Sequence, residues 1–297
     1  MPAHVHFGSG SWEFSIGLGM TLLFATALYL RGWIRLRSGF ANVIPAWRLG
    51  SFLVGLVLLW IALGSPLAAY DHDLLTVHMI KHLLLMTFAP ALILLGEPIR
   101  ALSHGMPRWA HSYSAPLQWP MVRRIAGSVT RPAVCWTVSA VTLIAWHLPV
   151  LFTLSLRSST GHAVEQTTFL VAGLLFWLPV VRPWPSASTE PQWSILLYLF
   201  LATLPCDILS GFLVFSDRVA YPVYLSASRH FGFSVLEDQQ CAAALMWTCV
   251  SLVYLVPAAI ISTRLLAPRT SREHVFAQPQ TAGNVTPSQD SRSLEVV

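Results

Sequence analysis

Two histidines, His78 and His82, stand four residues apart with Lys81 between them in an otherwise apolar stretch. That spacing puts both imidazoles on one face of a helix, with Cβ atoms about 6 Å apart, and neutral imidazole is the commonest metal ligand. Asp71, His72 and Asp73 lie just ahead of the pair. His147 sits between Trp146 and Leu148-Pro149, His162 precedes Glu165 and Gln166 by one helical turn, and Asp207 and Asp238 punctuate later apolar stretches. Ionisable groups surrounded by hydrocarbon are costly, so each needs a partner or a purpose. Imidazoles with carboxylates and no thiolates suit copper, zinc or iron, and copper binds most tightly among the divalent ions. Two histidines from facing helices could instead hold haem iron, and a zinc ion among His and Asp residues could activate water for hydrolysis. In a purely structural reading His147 pairs with a backbone carbonyl, His162 with Asp238 and Lys81 with Asp207.

The elements that must position these groups are membrane helices. A chain of 297 residues that is 55% hydrophobic and only 10% charged is wrong for a water-soluble globule. Stretches of about 20 apolar residues cross roughly 30 Å of hydrocarbon as helices. They occur at 12–31, 46–64, 74–96, 132–154, 162–181, 193–215 and 240–264. The predicted fold is all-α, a polytopic bundle of about seven spans over residues 1–268, followed by a polar Ser, Thr, Gln and Pro-rich tail over 269–297 that cannot bury enough apolar area to order itself.

The net charge of +5 reflects topology and calls for no nucleic-acid partner. Arg31, Arg35, Arg37, Arg48, Arg100, Arg108, Arg123, Arg124, Arg131, Arg182, Arg264, Arg269, Arg272 and Arg292 all fall on one side of a seven-span arrangement. Positive charge marks the cytoplasmic side, so the amino terminus is expected outside and the carboxyl terminus inside. No Lys or Arg precedes Arg31, so the first apolar stretch reads as a retained span and not a cleaved signal. The connection from Glu97 to Arg131 interleaves Trp109 and Trp119 with prolines and arginines, a composition for short helices in the headgroup layer. Cys135, Cys206, Cys241 and Cys249 show no metal-clip spacing, and they and Met79, Met86 and Met246 read as core filling.

With that topology the third span enters from outside, so His78 and His82 occupy its first turns. His147 rises to a similar depth in the fourth span, and His162 opens the fifth. His4, His6, His72 and His230 fall on the same side, with His4 and His6 forming a terminal His-x-His that could scavenge metal. Several helices can therefore deliver imidazoles and carboxylates to one level, as cofactor sites in bundle cores require.

Specific strings resemble a known family. YDHDLLTVHMIKHLLLMTFAPALILLGEP over Tyr70 to Pro98, Trp146-His147-Leu148-Pro149, the His162 segment ending in Phe176-Trp177-Leu178-Pro179, and Asp238-Gln239-Gln240 with Met246-Trp247 are similar to the multi-span CtaG-type cytochrome c oxidase assembly factors. The resemblance covers roughly residues 45–265. It implies a seven-span protein of the bacterial inner membrane that helps form an active haem-copper oxidase by delivering copper, unlike the single-span, cysteine-using copper carrier that shares the family name. Carried over by motif, the implied positions are His78, His82, His147, His162 and Asp238. The chain departs from the family where Lys81 replaces a frequent Gln, and at Ala243, where a small residue or Gly is usual.

The resulting expectation is an oxidase assembly factor and not an enzyme. His78, His82, His147 and His162 would ligate copper on the outward side, for passage to an oxidase subunit. Asp71, His72, Lys81, Glu165, Asp207 and Asp238 would orient the imidazoles or attract the cation. A zinc-dependent membrane hydrolase and a haem carrier are the rival expectations.

Overall fold

The computed structural model describes residues 9–39, 44–65, 70–107, 120–181, 191–227, 232 and 234–267. His4, His6, His230 and the tail from residue 269 lie outside them, as do Arg108, Arg182 and the Trp109 and Trp119 part of the long connection. Among the described residues every regular element is helical. The helices are α1 (Ser9–Gly39), α2 (Ala46–Gly64), α3 (Leu75–Leu95), α4 (Pro98–Gly105), α5 (Pro120–Val129), α6 (Pro132–His147), α7 (Pro149–Arg157), α8 (Ser159–Val181), α9 (Gln192–Val214) and α10 (Val235–Leu266). Six of them, α1, α2, α3, α8, α9 and α10, are each long and apolar enough to cross a bilayer.

The fourth expected span, 132–154, is not one straight helix. α6 ends at His147, and α7 turns aside by 75°. Pro149 is the cause, because a residue before proline is pushed out of the helical region, and Leu148 is extended at φ −67° and ψ 129°. Counted as one broken span, the two pieces bring the candidate crossings from six to seven, and the break leaves His147 at a helix end. α3 carries the opposite adjustment. Pro90 has no N–H to return to the carbonyl of Met86, and the turn Leu84–Phe88 widens to a π-turn closed by the Ala89 N–H on the Leu84 carbonyl. The last helix begins at Val235, five residues before the expected 240, because Ser234 and Glu237 form a reciprocal capping box.

Most of the large core gathers side chains from α3, α8, α9 and α10, with Phe152 of α7 and Tyr221 and Tyr224 of the α9–α10 connection. A smaller cluster joins α1, α2 and α4 around Tyr29 and Phe52, where glycines permit backbone contact: a Cβ at Gly32 would stand 1.7 Å from the Ala101 carbonyl. The outer surface is apolar. Ile208 is 72% and Phe212 66% exposed, a display that a bilayer stabilises and water would not. The interior is inverted, since Asp71, His78, Lys81, His82, His147, Glu165 and Asp238 are all buried. The chain is thus a multi-pass membrane protein with a cluster of ionisable groups inside the bundle.

The two ends of the bundle differ. Asp238 contacts the start of α3, so Arg264, at the far end of α10, belongs to the other end. There Arg48 pairs with Glu97, and Arg100 lies 3.6 Å from the same carboxylate. Arg35 donates to the His104 carbonyl at 3.1 Å, which ties α1 to α4.

Candidate metal centre

The first two turns of α3 carry His78 and His82, whose rings stack edge to face with centroids 4.3 Å apart. α8 brings Glu165 against them. Its Oε1 lies 3.5 Å from His78 Nε2 and 3.5 Å from His82 Nε2. All three side chains are buried, Glu165 completely. One ligand atom from each falls within 4.8 Å of the others. Four-coordinate metal sites with bonds of about 2.1 Å separate their ligand atoms by roughly 3.4 Å, so the Glu165 to histidine spacings are those of ligands around one ion.

The hydrogen-bond account points the same way. Neither carboxylate oxygen of Glu165 accepts a hydrogen bond, neither nitrogen of His78 makes one, and Nδ1 of His82 has no partner. Buried polar groups are costly unless hydrogen-bonded, and a buried carboxylate more so. A cation among these three residues would satisfy the Glu165 carboxylate together with one nitrogen of each histidine.

Beside this trio lies a second polar group. Lys81, on the same helix, donates to Asp71, which sits in the turn ahead of α3. His162 Nε2 lies 3.1 Å from Asp71 Oδ2 and 3.1 Å from Lys81 Nζ, while its Nδ1 faces Glu165 Oε2 at 3.4 Å. His162 therefore bridges two carboxylates, and Gln166 crowds its Nε2 further. Asp71 and Glu165 against Lys81 leave one formal negative charge in the buried group when the histidines are neutral. Burial alone would raise the Asp71 carboxyl, but the hydrogen bond from His162 and the Lys81 charge hold it well below the ordinary carboxylate range. His72 is lowered too, by its burial and despite the neighbouring Asp71 carboxylate. The His72 side chain is 55% exposed and that of His162 19%, so His162 is the least buried of the groups that face Glu165.

His147 stands at the edge of the trio, its ring 5.9 Å from that of His82. Its Nδ1 lies 2.7 Å from the Leu143 carbonyl, the backbone pairing expected in the structural reading. The loop between α9 and α10 holds these pieces in place. Tyr221 donates to the His147 carbonyl at 3.0 Å and Tyr224 to the Asp71 carbonyl at 2.8 Å. Phe152 of α7 lies 4.8 Å from the His78 ring and closes that side.

Two expected members are elsewhere. Asp238 orients no imidazole and does not pair with His162. Its carboxylate accepts the N–H of Leu75 at 2.7 Å, the N–H of Thr76 at 3.2 Å and the Thr76 hydroxyl at 2.6 Å. It thereby caps a helix whose own N-cap, Leu74, has no capping side chain. Its neighbour Gln239 accepts from the Ala220 N–H and donates to the carbonyls of Leu213 and Arg218, so the Asp-Gln-Gln motif is architectural. Asp207 on α9 does not pair with Lys81, and its Oδ1 is buried without a partner. It is absent from the polar contacts of the histidine group, and the structure offers no account of it. Glu165 was expected to support the histidines, and its carboxylate lies within 3.5 Å of His78, His82 and His162. Its i+3 spacing from His162 was the available signal. Tyr221, Tyr224 and Phe152 carried no signal in the sequence, because an aromatic in a loop or a short apolar helix looks like any other.

The chain is 25% identical over 272 residues to an uncharacterized protein of Mycobacterium leprae, covering 90% of this chain and 40% of that one. It is 26% identical over 261 residues to uncharacterized proteins of Mycobacterium bovis and Mycobacterium tuberculosis, covering 84% of this chain and 39% of each. It thus spans about two fifths of the length of these curated relatives. No solved structure matches it. The family model for the cytochrome c oxidase caa3 assembly factor matches residues 27–267, a range that contains every described residue of the histidine group, and the chain belongs to that family.

Proposed function

We propose that this protein assists assembly of cytochrome c oxidase by holding a copper ion at His78, His82 and Glu165 and releasing it to an oxidase subunit. The observation that carries this reading is the wholly buried Glu165 carboxylate, 3.5 Å from two imidazole nitrogens and without a hydrogen-bond donor. Three protein ligands leave a further position for water or an acceptor's ligand, as a transfer site needs. Cargo would enter and leave past His72 and His162. His162, bridging Asp71 and Glu165, positions the carboxylate and is not itself counted among the ligands.

The arginine-rich end opposite the histidines is the cytoplasmic end in this reading, so the site faces the outside of a bacterial cytoplasmic membrane. No catalytic turnover is assigned. The same ligand types would also take zinc, and the test separates the metals. Metal content of the detergent-purified chain is measured beside a His78→Ala/His82→Ala/Glu165→Gln variant, with oxidase activity assayed in host membranes. Copper in the wild type, lost with oxidase activity in the variant, is the expected result. Equal copper and equal activity in the two would end this reading, and stoichiometric zinc with hydrolysis of lipid amides would favour an enzyme.

A further inference from the structure

On the side of His82 away from Asp71, a cavity of about 40 Å³ lies among α3, α6, α8, α9 and α10. It exceeds the roughly 10–15 Å³ that a water-sized occupant needs. Its walls are mostly apolar, but they include His82, Met86, Trp136, His147, Cys206 and Met246. No carboxylate, lysine or arginine lines it.

Each of the two histidines that line this space holds a buried nitrogen without a partner. A carbonyl can only accept, so the 2.7 Å contact with Leu143 places the His147 proton on Nδ1 and leaves Nε2 as the bare nitrogen. His147 is 4% exposed and His82 6%, and His147 Nε2 and His82 Nδ1 have no partner. Both are unpartnered nitrogens on buried side chains that line one cavity. Met86 follows His82 by one turn of α3, Met246 comes from α10 and Cys206 from α9. Two imidazoles and three sulfur side chains from four helices line the space, with Cys206 Sγ 3.8 Å from Ser210 Oγ.

We propose that this cavity is a second metal station that takes Cu(I). The proposal rests on the copper reading of the Glu165 centre and deepens it. Thioether and thiolate sulfur prefer Cu(I), so Cys206 would give up its proton on binding the ion. The desolvation cost of an ion rises with the square of its charge, so a chamber with no carboxylate penalises a divalent ion far more than a monovalent one. The Glu165 centre, with its net negative charge, is the better place for a divalent ion. His82 borders both, with Nε2 toward Glu165 and Nδ1 without a partner in the protein, and because a neutral imidazole has one bare nitrogen it serves one station at a time.

The test uses the full-length chain purified in detergent under anaerobic conditions. Cu(I) is titrated against a colorimetric Cu(I) chelator, and the bound ion is examined by X-ray absorption. Co(II), titrated separately, reports the Glu165 centre through its visible bands. Wild type should show sulfur as well as nitrogen neighbours around Cu(I). A Met86→Leu/Met246→Leu/Cys206→Ala variant should lose the sulfur neighbours and bind Cu(I) at least tenfold more weakly, with Co(II) binding unchanged. Leu for Met nearly conserves volume, and if the triple variant does not fold the wild-type absorption spectrum decides alone. Cu(I) with nitrogen neighbours only, Cu(I) affinity unchanged in the variant, or no Cu(I) bound by the wild type would each overturn the second station. Co(II) binding that Glu165→Gln leaves untouched would instead overturn the first, whatever Cu(I) does.

Discussion

The carboxylate of Asp238, at the start of α10, accepts the backbone N–H of Leu75 at 2.7 Å, so the helix that carries His78 and His82 is capped from across the bundle. Loss of an N-cap typically costs about 0.5–2 kcal/mol, and this one is charged and buried. Asp238→Ala should lower the unfolding temperature in detergent and weaken metal binding together, because the turn bearing His78 frays. Asp238→Asn, which keeps one acceptor oxygen, should lose less of both. Thermal unfolding followed by circular dichroism checks the order, and an Ala variant as stable as wild type would contradict the capping role.

Glu165→Gln should separate function from stability. The carboxylate is buried without a donor, and its charge is a burden to the metal-free fold. The variant is expected to unfold at the same temperature as metal-free wild type or higher, while copper retained through purification falls at least tenfold. A large loss of stability with copper unchanged would show that Glu165 serves the fold and not a metal.

Asp71 and Lys81 form a buried ion pair. Removing one partner of such a pair typically costs about 3–5 kcal/mol, so Asp71→Asn and Lys81→Met should each be strongly destabilising. The double variant should recover much of the loss, which a double-mutant cycle of unfolding free energies measures. The pH dependence has a definite sign. Asp71 is held below its usual value of 3.8, so its contribution is fully present above that value and declines only as the pH falls below it. The stability gap between wild type and Asp71→Asn should stay constant from neutral pH to pH about 5 and close only in stronger acid. A gap already closing near pH 6.5 would mean that a histidine controls it.

Gly173 lets α8 lie against the π-turn of α3. A Cβ there would meet the Met86 carbonyl at 2.5 Å and its Cα at 2.7 Å. Gly173→Ala should push α8 outward, move Glu165 from the two histidines and reduce both stability and bound metal. Gly211 in α9 has nothing within 4 Å of its Cβ position, so Gly211→Ala should be neutral or stabilising by up to about 1 kcal/mol. Equal behaviour of the two variants in a thermal unfolding assay would refute this account of Gly173.

The spans were legible in the chain itself because hydropathy is a local property summed over about 20 residues, and helices of this length must satisfy their own backbone in lipid. The i, i+4 pairing of His78 and His82 was legible for the same local reason. Their convergence with Glu165, the diversion of α7 at Pro149 and the assignment of Asp238 to capping were decided only by tertiary structure. A carboxylate reads the same in a sequence whether it faces an imidazole or an N–H 163 residues away. Charge requires a partner in lipid, and which partner it finds depends on how the helices pack.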